Sequence, residues 1–221
     1  MLSLIFNNKQ LPAWLKVTNI KEPIGQFDKK QITIEGYFMK KHLLELSKKI
    51  ELNSFMEGGK KGYGRLILPS NKTVHYIARV KQFSNTSQNY SKEKWSMIFE
   101  LENEFIINNS EKKIILTDSR ELVNAGTVEV YPKIKFEVTS TCEIIQLADD
   151  KGKEVVIKGN FRQGQVISFN QETFKVELDG ALEMNILQLS SKRLKLKVGF
   201  NKWTLKQGNV KVHISWQEKF I

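Results

Sequence analysis

The feature that most constrains this chain is a strict two-residue rhythm that begins near its midpoint. Val128, Val130, Pro132, Ile134, Phe136 and Val138 fall at every second position, directly after a turn at Asn124-Ala125-Gly126. A period of two is that of a strand with one buried face. Proline has no N–H to give to a ladder, so Pro132 suits a strand start or an edge strand. The glycine of the turn is free to take a positive φ. From here to the last residue, short alternating segments follow one another. Thr141–Leu147 closes on Asp149-Asp150-Lys151-Gly152; Val155–Ile157, Gln165–Phe169 and Phe174–Leu178 are separated by Gly159, Gly164 and Asn170-Gln171. Leu194, Leu196 and Val198, then Trp203–Leu205, and finally Val210–Trp216 complete the series. About eight short strands with turn signals between them predict a β-sandwich.

The first half is also strand-rich, with one change of period. Residues 1–6 and Gln31–Phe38 alternate as strands, whereas Leu43, Leu46 and Ile50 fall at helical spacing within Lys40–Ile50. Lys48 and Lys49 would sit in the last turns, where the helix dipole favours cations. The glycine-rich stretch Gly58–Gly64 lacks the Gly-Lys-Ser/Thr order of a phosphate loop. A hairpin follows. Val74, Tyr76, Ala78 and Val80 on one side, and Trp95, Met97, Phe99 and Leu101 on the other, fix the register parity. Arg79 and Lys81 then share an outer face with Glu100 and Glu102, where opposite charges pair across strands. Its polar tip, residues 84–93, is longer than a closed hairpin needs. Phe105–Ile107 and Ile114–Leu116 predict a closing strand and a connector. The expected organisation is two domains, 1–123 and 124–221, with a hinge at Asn124, Gly126 and Pro132.

Composition excludes several function classes. The chain has 35 basic and 24 acidic residues, but most of the excess is scattered lysine, and specific nucleic-acid recognition is not expected. Cys142 is the only cysteine, which rules out an intrachain disulfide or a multi-cysteine zinc site. It is expected to be a small core residue. His42, His75 and His213 are isolated in sequence, and no Gly-x-Ser-x-Gly motif occurs. No enzyme, metal or cofactor is expected. The first residues are short and lack a basic start, so no secretory signal is predicted, and no apolar run reaches the ~18–20 residues of a membrane span.

The order of these segments resembles the distal tail proteins of long-tailed bacteriophages. The resemblance is carried by the junction Asn124-x-Gly126-Thr127 with Pro132-Lys133-Ile134, by Leu43-Leu44-Glu45-Leu46 and the long hairpin that follows those four residues, and by three later stretches. These are Gly159–Gln165, the Leu-x-Val-Gly-x-Asn segment 196–201, and the aromatic-rich end Trp216–Phe220. The resemblance implies a mainly β chain with one helix: an N-terminal ring-forming domain and a C-terminal galectin-like β-sandwich. It implies a hexameric hub at a virion tail tip, made and assembled in the cytoplasm of the bacterial host. The implied partners are the tail tube protein, the tape-measure protein and the tail-associated adhesion protein, with DNA passing through the ring. In such a ring, Glu100, Glu102 and Glu104 are expected to form an acidic band facing the channel. Asn85, Gln88 and Tyr90 are expected on an arm that embraces a neighbour. The alternative is a carbohydrate-binding adhesion module, in which Trp203 and Trp216 stack on sugar rings.

Overall fold

The computed structural model describes residues 3–22, 30–39, 46–57, 62–86 and 93–221. The chain divides into two compact units, Met1–Ile107 and Asn108–Ile221. Both are built of antiparallel strands, and the one α-helix among the described residues lies in the first. The mainly β expectation with a single helix is met.

In the first unit the strands are β1 (Ile5–Phe6), β2 (Lys9–Gln10), β3 (Leu15–Lys21) and β4 (Gln31–Phe38). After helix α1 (Leu46–Met56) come β5 (Gly64–Ile67), β6 (Val74–Thr86) and β7 (Lys94–Leu101). They form one sheet in the order β3-β4-β7-β6-β5-β1-β2. The hairpin β6–β7 has the register parity that the sequence dictates, with Arg79 opposite Glu100 and Val80 opposite Phe99. The ladder then shifts between Val80 and Gln82, so Lys81 is the extra residue of a β-bulge and the inward set continues at Phe83. The strands run on through Ser84, Asn85 and Thr86, which shortens the expected tip.

Helix α1 runs on to Met56, past the Ile50 end that the sequence period predicts, so Lys48 and Lys49 are not in its last turn. Residues 40–45 lie outside the described residues, and Ile50, expected on the buried stripe, is 60% exposed. The buried anchor is Phe55, edge-on to Phe6, with Leu52 and Met56 packed beside it. Two side-chain bonds fix the helix to the strands. Trp14 Nε1 donates to Glu51 (2.7 Å), and Lys9 Nζ donates to the Ser54 carbonyl (2.7 Å).

The division falls within β8 (Ile106–Leu116), one continuous strand in which the sequence shows two apolar runs. Its polar middle is largely exposed, and this is why alternation disappears there. In the second unit follow β9 (Ser119–Asn124), β10 (Lys133–Val138), β11 (Cys142–Asp149), β12 (Glu154–Phe161), β13 (Val166–Asn170), β14 (Lys175–Leu178), β15 (Ala181–Leu182), β16 (Gly199–Gln207) and β17 (Val210–Phe220). One sheet runs β15-β14-β13-β10-β17-β8 and the other β12-β11-β16-β9. A single core lies between them. Ile134, Phe136, Val138, Val212, Ile214 and Trp216 come from the first sheet, and Leu122, Ile145, Leu147, Val155, Ile157 and Trp203 from the second. Cys142 is half-buried against this core.

The junction expected at residue 124 therefore lies inside the second unit. The physical reason is β9, which pairs along its length with β16, and Leu116 and Leu122, which are 1% and 0% exposed in the second core. Burying a leucine contributes about 2–3 kcal/mol, a large share of the roughly 5–15 kcal/mol that holds a domain. A polypeptide of residues 108–221 should melt cooperatively, and one of residues 126–221 should melt far lower or fail to fold. Equal melting temperatures in circular dichroism would show β9 to be dispensable.

Candidate functional site

Asn124, Gly126 and Pro132, read from the sequence as a hinge, form a pinned corner. Asn124 is fully buried and its amide is fully used. Nδ2 donates to the carbonyls of Val128 (2.9 Å) and Leu196 (3.3 Å), and Oδ1 accepts from Gly126 N–H (3.1 Å). Gly126 is not in the left-handed region, contrary to the turn-based reading. It is glycine because a Cβ there would collide with the Lys219 backbone. Pro132 stands immediately before β10, and its carbonyl accepts from Gln171 Nε2 (3.1 Å).

The corner is closed by a residue that sequence reasoning passed over. Along β17, Val210, Val212, Ile214 and Trp216 point inward, and Glu218 takes the next inward position at 5% exposure. Its carboxylate meets Lys112 Nζ (2.7 Å), the Ala125 N–H (3.1 Å) and, at longer range, Asn108 Nδ2 (3.5 Å). The only signal in the sequence was a carboxylate at an apolar phase of a strand. Burial alone would raise the Glu218 pKa. Lys112 and the Ala125 N–H outweigh it and hold the carboxyl below its ordinary range.

The three glutamates of the expected acidic band are not successive rungs of one strand. β7 ends at Leu101, so only Glu100 is a strand residue, while Glu102 and Glu104 lie in the bend beyond it. Glu100 is bound by Arg79 at 2.6 Å, and Arg79 in turn lies over the Tyr63 ring. Of the expected arm, Asn85 is an exposed residue of β6 opposite Trp95. Gln88 and Tyr90 lie outside the described residues.

Neither tryptophan proposed for sugar stacking is at the surface: Trp203 is 0% and Trp216 is 4% exposed. A recess within the second unit, about 700 Å³, opens over β8, β10, β13 and β17 beside Ile115, Lys133, Lys135, Val166 and His213. Four of its polar side chains pair with one another. Ser215 Oγ donates to Glu111 (3.0 Å), and His213 Nε2 contacts Glu137 (2.9 Å). The serine hydroxyl is thus bonded to a carboxylate, and no Ser–His relay is assembled. Among the described residues no three His, Cys, Asp or Glu side chains cluster as a metal site, and no helix is long and apolar enough to cross a membrane.

The chain is thus mainly β and divides into two units, the second of which packs two antiparallel sheets around one core. Residues 125–220 match the family described as siphovirus-type tail component, C-terminal domain. The whole chain has the fold of the Dit protein of phage SPP1, described as a paradigm of the hub adsorption apparatus in phages that infect Gram-positive bacteria. That likeness has a TM-score of 0.81 at 14% identity and covers 99% of both chains. Chains of the phage P2 baseplate in its activated conformation, with calcium and with strontium, match with TM-scores of 0.49 and 0.46. Each is 11% identical, and the match covers 99% of this chain and 92% of that chain. Comparison with curated proteins gives no match. The resemblance to distal tail proteins read from the sequence is borne out.

Glu218 generates a pH prediction. A carboxyl with a depressed folded pKa contributes stability that is complete above the ordinary carboxylate range and is lost as pH falls through the folded value. Glu218→Gln should destabilise the protein by about 1–3 kcal/mol near neutral pH, the range for charge-assisted bonds. The gap to the parent should narrow as the pH falls below about 4.3, the ordinary glutamate value. Urea unfolding at several pH values checks this. A pH-independent gap would assign the effect to packing.

Proposed function

We propose that the chain is a structural hub protein of a phage tail tip, joining the tail tube to the host-adsorption apparatus. The observation that carries this reading is the correspondence along the whole chain with the SPP1 hub protein, which includes both units in order, together with the tail-component family match over residues 125–220. In this reading the first unit assembles six copies into a ring. The second unit, a galectin-like sandwich, carries attachment points for neighbouring tail proteins. Tail tube, tape-measure and tail-associated adhesion proteins are the partners, and DNA crosses the ring without sequence recognition. The protein takes no part in catalysis. Its place is the virion tail tip, after synthesis and assembly in the host cytoplasm.

The first unit has a chemistry suited to this role. The sheet ends on β3 at one side and on the two-residue β2 at the other, and such edges present backbone groups that a neighbouring copy can pair. The β6–β7 ribbon carries residues 87–92 beyond its last paired rung, Thr86 with Lys94, and this segment is the proposed arm.

Light scattering of the purified full chain should give a mass about six times the 25.6 kDa of one copy, and negative-stain images should show closed rings. A monomer at all concentrations would overturn the hub reading. Replacing residues 87–92 with a two-residue turn should leave the fold intact and reduce the mass to that of smaller species. Rings from the shortened chain would remove the arm while leaving the ring.

A further inference from the structure

The sheet β12-β11-β16-β9 seals one of its edges and leaves the other open. Along β12, Val156 N–H donates to Ser191 Oγ (3.0 Å) and the Val156 carbonyl accepts from Gln188 N–H (3.0 Å). The Glu154 carbonyl accepts from Lys192 N–H (2.8 Å), so the segment 187–192 covers that edge. At the opposite edge, β9 pairs with β16 and, among the described residues, with no second strand.

One bond fixes the phase of the β9 ladder. Leu205 N–H donates to the Asp118 carbonyl (2.7 Å), and the register sets Ser119 opposite Thr204 and Val123 opposite Phe200. Bonded and unbonded rungs alternate in an antiparallel pair. Arg120, Leu122 and Asn124 therefore bond β16, while Ser119, Glu121 and Val123 turn three N–H and three C=O groups away from it. Among the described residues nothing meets those groups. Ser119 and Glu121 are exposed and Val123 is 39% exposed, so the edge lies open along its length.

Exposed edges are commonly guarded by a bulge, a proline or a charged side chain. The β9 register is unbroken, and the strand holds no proline. Both of its charged residues have counterparts in the same unit. Arg120 Nη1 donates to the Ile115 carbonyl (2.8 Å), and Glu121 stands opposite Lys202. Leu122 and Asn124, each 0% exposed, hold the strand from beneath. The edge is thus formed in advance, which lowers the entropy cost of docking.

We infer that β9 is a docking edge for an extended segment of another protein, which joins this four-stranded sheet as an added antiparallel strand. Peptide groups presented at every second residue select an extended polypeptide, because a strand repeats its own donors and acceptors at that spacing. The antiparallel direction continues that of every pairing in the sheet. The segment has no proline at its bonded rungs. It carries an apolar side chain opposite Val123, on the outer face where Phe200 is also 78% exposed. A second copy of β9 is disfavoured. The two-fold pairing that uses all three open residues sets Glu121 directly opposite its own copy, and like charges in that position repel. The inference deepens the hub reading by giving the chemistry of one attachment point. It rests on that reading only for which particle supplies the segment.

The test uses the full chain and a fluorescent peptide of roughly eight residues, a usual strand length, alternating threonine with valine between terminal lysines. Binding is read by anisotropy. Two further peptides carry N-methyl groups on the valine amides or on the threonine amides. With valine opposite Val123, the valine amides face β9, so methylation there should abolish binding and methylation of the threonine amides should spare it. Glu121→Pro removes an N–H that β16 does not use. It should melt close to the parent and weaken binding by about tenfold or more. Glu121→Gln keeps the N–H and should bind as the parent does. If Glu121→Pro fails to fold, the methylated pair still decides. No binding at ~1 mM peptide, equal binding of the two methylated peptides, or binding by a folded Glu121→Pro equal to the parent's would each overturn the inference. A solution mass lowered by Glu121→Pro would assign the edge to a second copy and overturn it as well. The solution mass of the parent is read separately. Absence of rings would count against the hub, and the peptide series would still decide the edge.

Discussion

The second unit depends on one buried polar corner, where Asn124 and Glu218 bring the ends of both sheets together. Leaving a buried polar group unpaired costs about 1–3 kcal/mol, so every bond in the corner must be made at once. Asn124 ends β9 in one sheet, and its amide reaches the Leu196 and Val128 carbonyls. Glu218 lies near the end of β17 in the other sheet and reaches Ala125 and Lys112. Thr127 N–H adds a bond to the Lys219 carbonyl (2.9 Å), and Thr127 Oγ1 accepts from Ile221 N–H (2.8 Å). Gly126 lets the two backbones approach. The core residues alone would tolerate many relative positions of two sheets. The corner selects one of them.

In the first unit the corresponding constraint is steric. A Cβ on Gly36 would meet both the Lys16 carbonyl and the Trp95 indole. Glycine at this rung of β4 lets Trp95, 1% exposed, fold across the strand and stack on Phe83 (ring centroids 6.3 Å apart). That contact exists because the bulge at Lys81 moves Phe83 onto the inward face. Two local irregularities, a missing side chain and an extra residue, thus place the bulkiest side chain of the hairpin.

Where the fold was legible in sequence, one physical rule acted alone. The alternation Val130–Val138 is buried at each even position, since a strand at the centre of a sandwich has one face and no choice of phase. The pairing of Arg79 with Glu100 followed from parity. The readings that failed are those in which tertiary contacts outweighed a local pattern. Ile50 stands at the predicted helical spacing yet is exposed, and α1 docks through Phe55. An Asn-x-Gly turn reads as a hinge until Glu218, far away in sequence, is seen to hold it. Phe200 was also illegible. It stands at an outward phase of β16, and no sequence rule distinguishes a displayed aromatic from a core residue in a strand of uncertain register.

Polar pairing also decides the character of the recess in the second unit. Catalysis needs a group held apart from its neutralising partners until substrate arrives. In the recess over β10 and β17, Ser215, Glu111, His213 and Glu137 already satisfy one another. The two indoles that might have met a sugar are core residues. The indole N–H groups of Trp95, Trp203 and Trp216 are buried without a hydrogen-bond partner among the described residues, a cost that the large apolar area of each ring offsets.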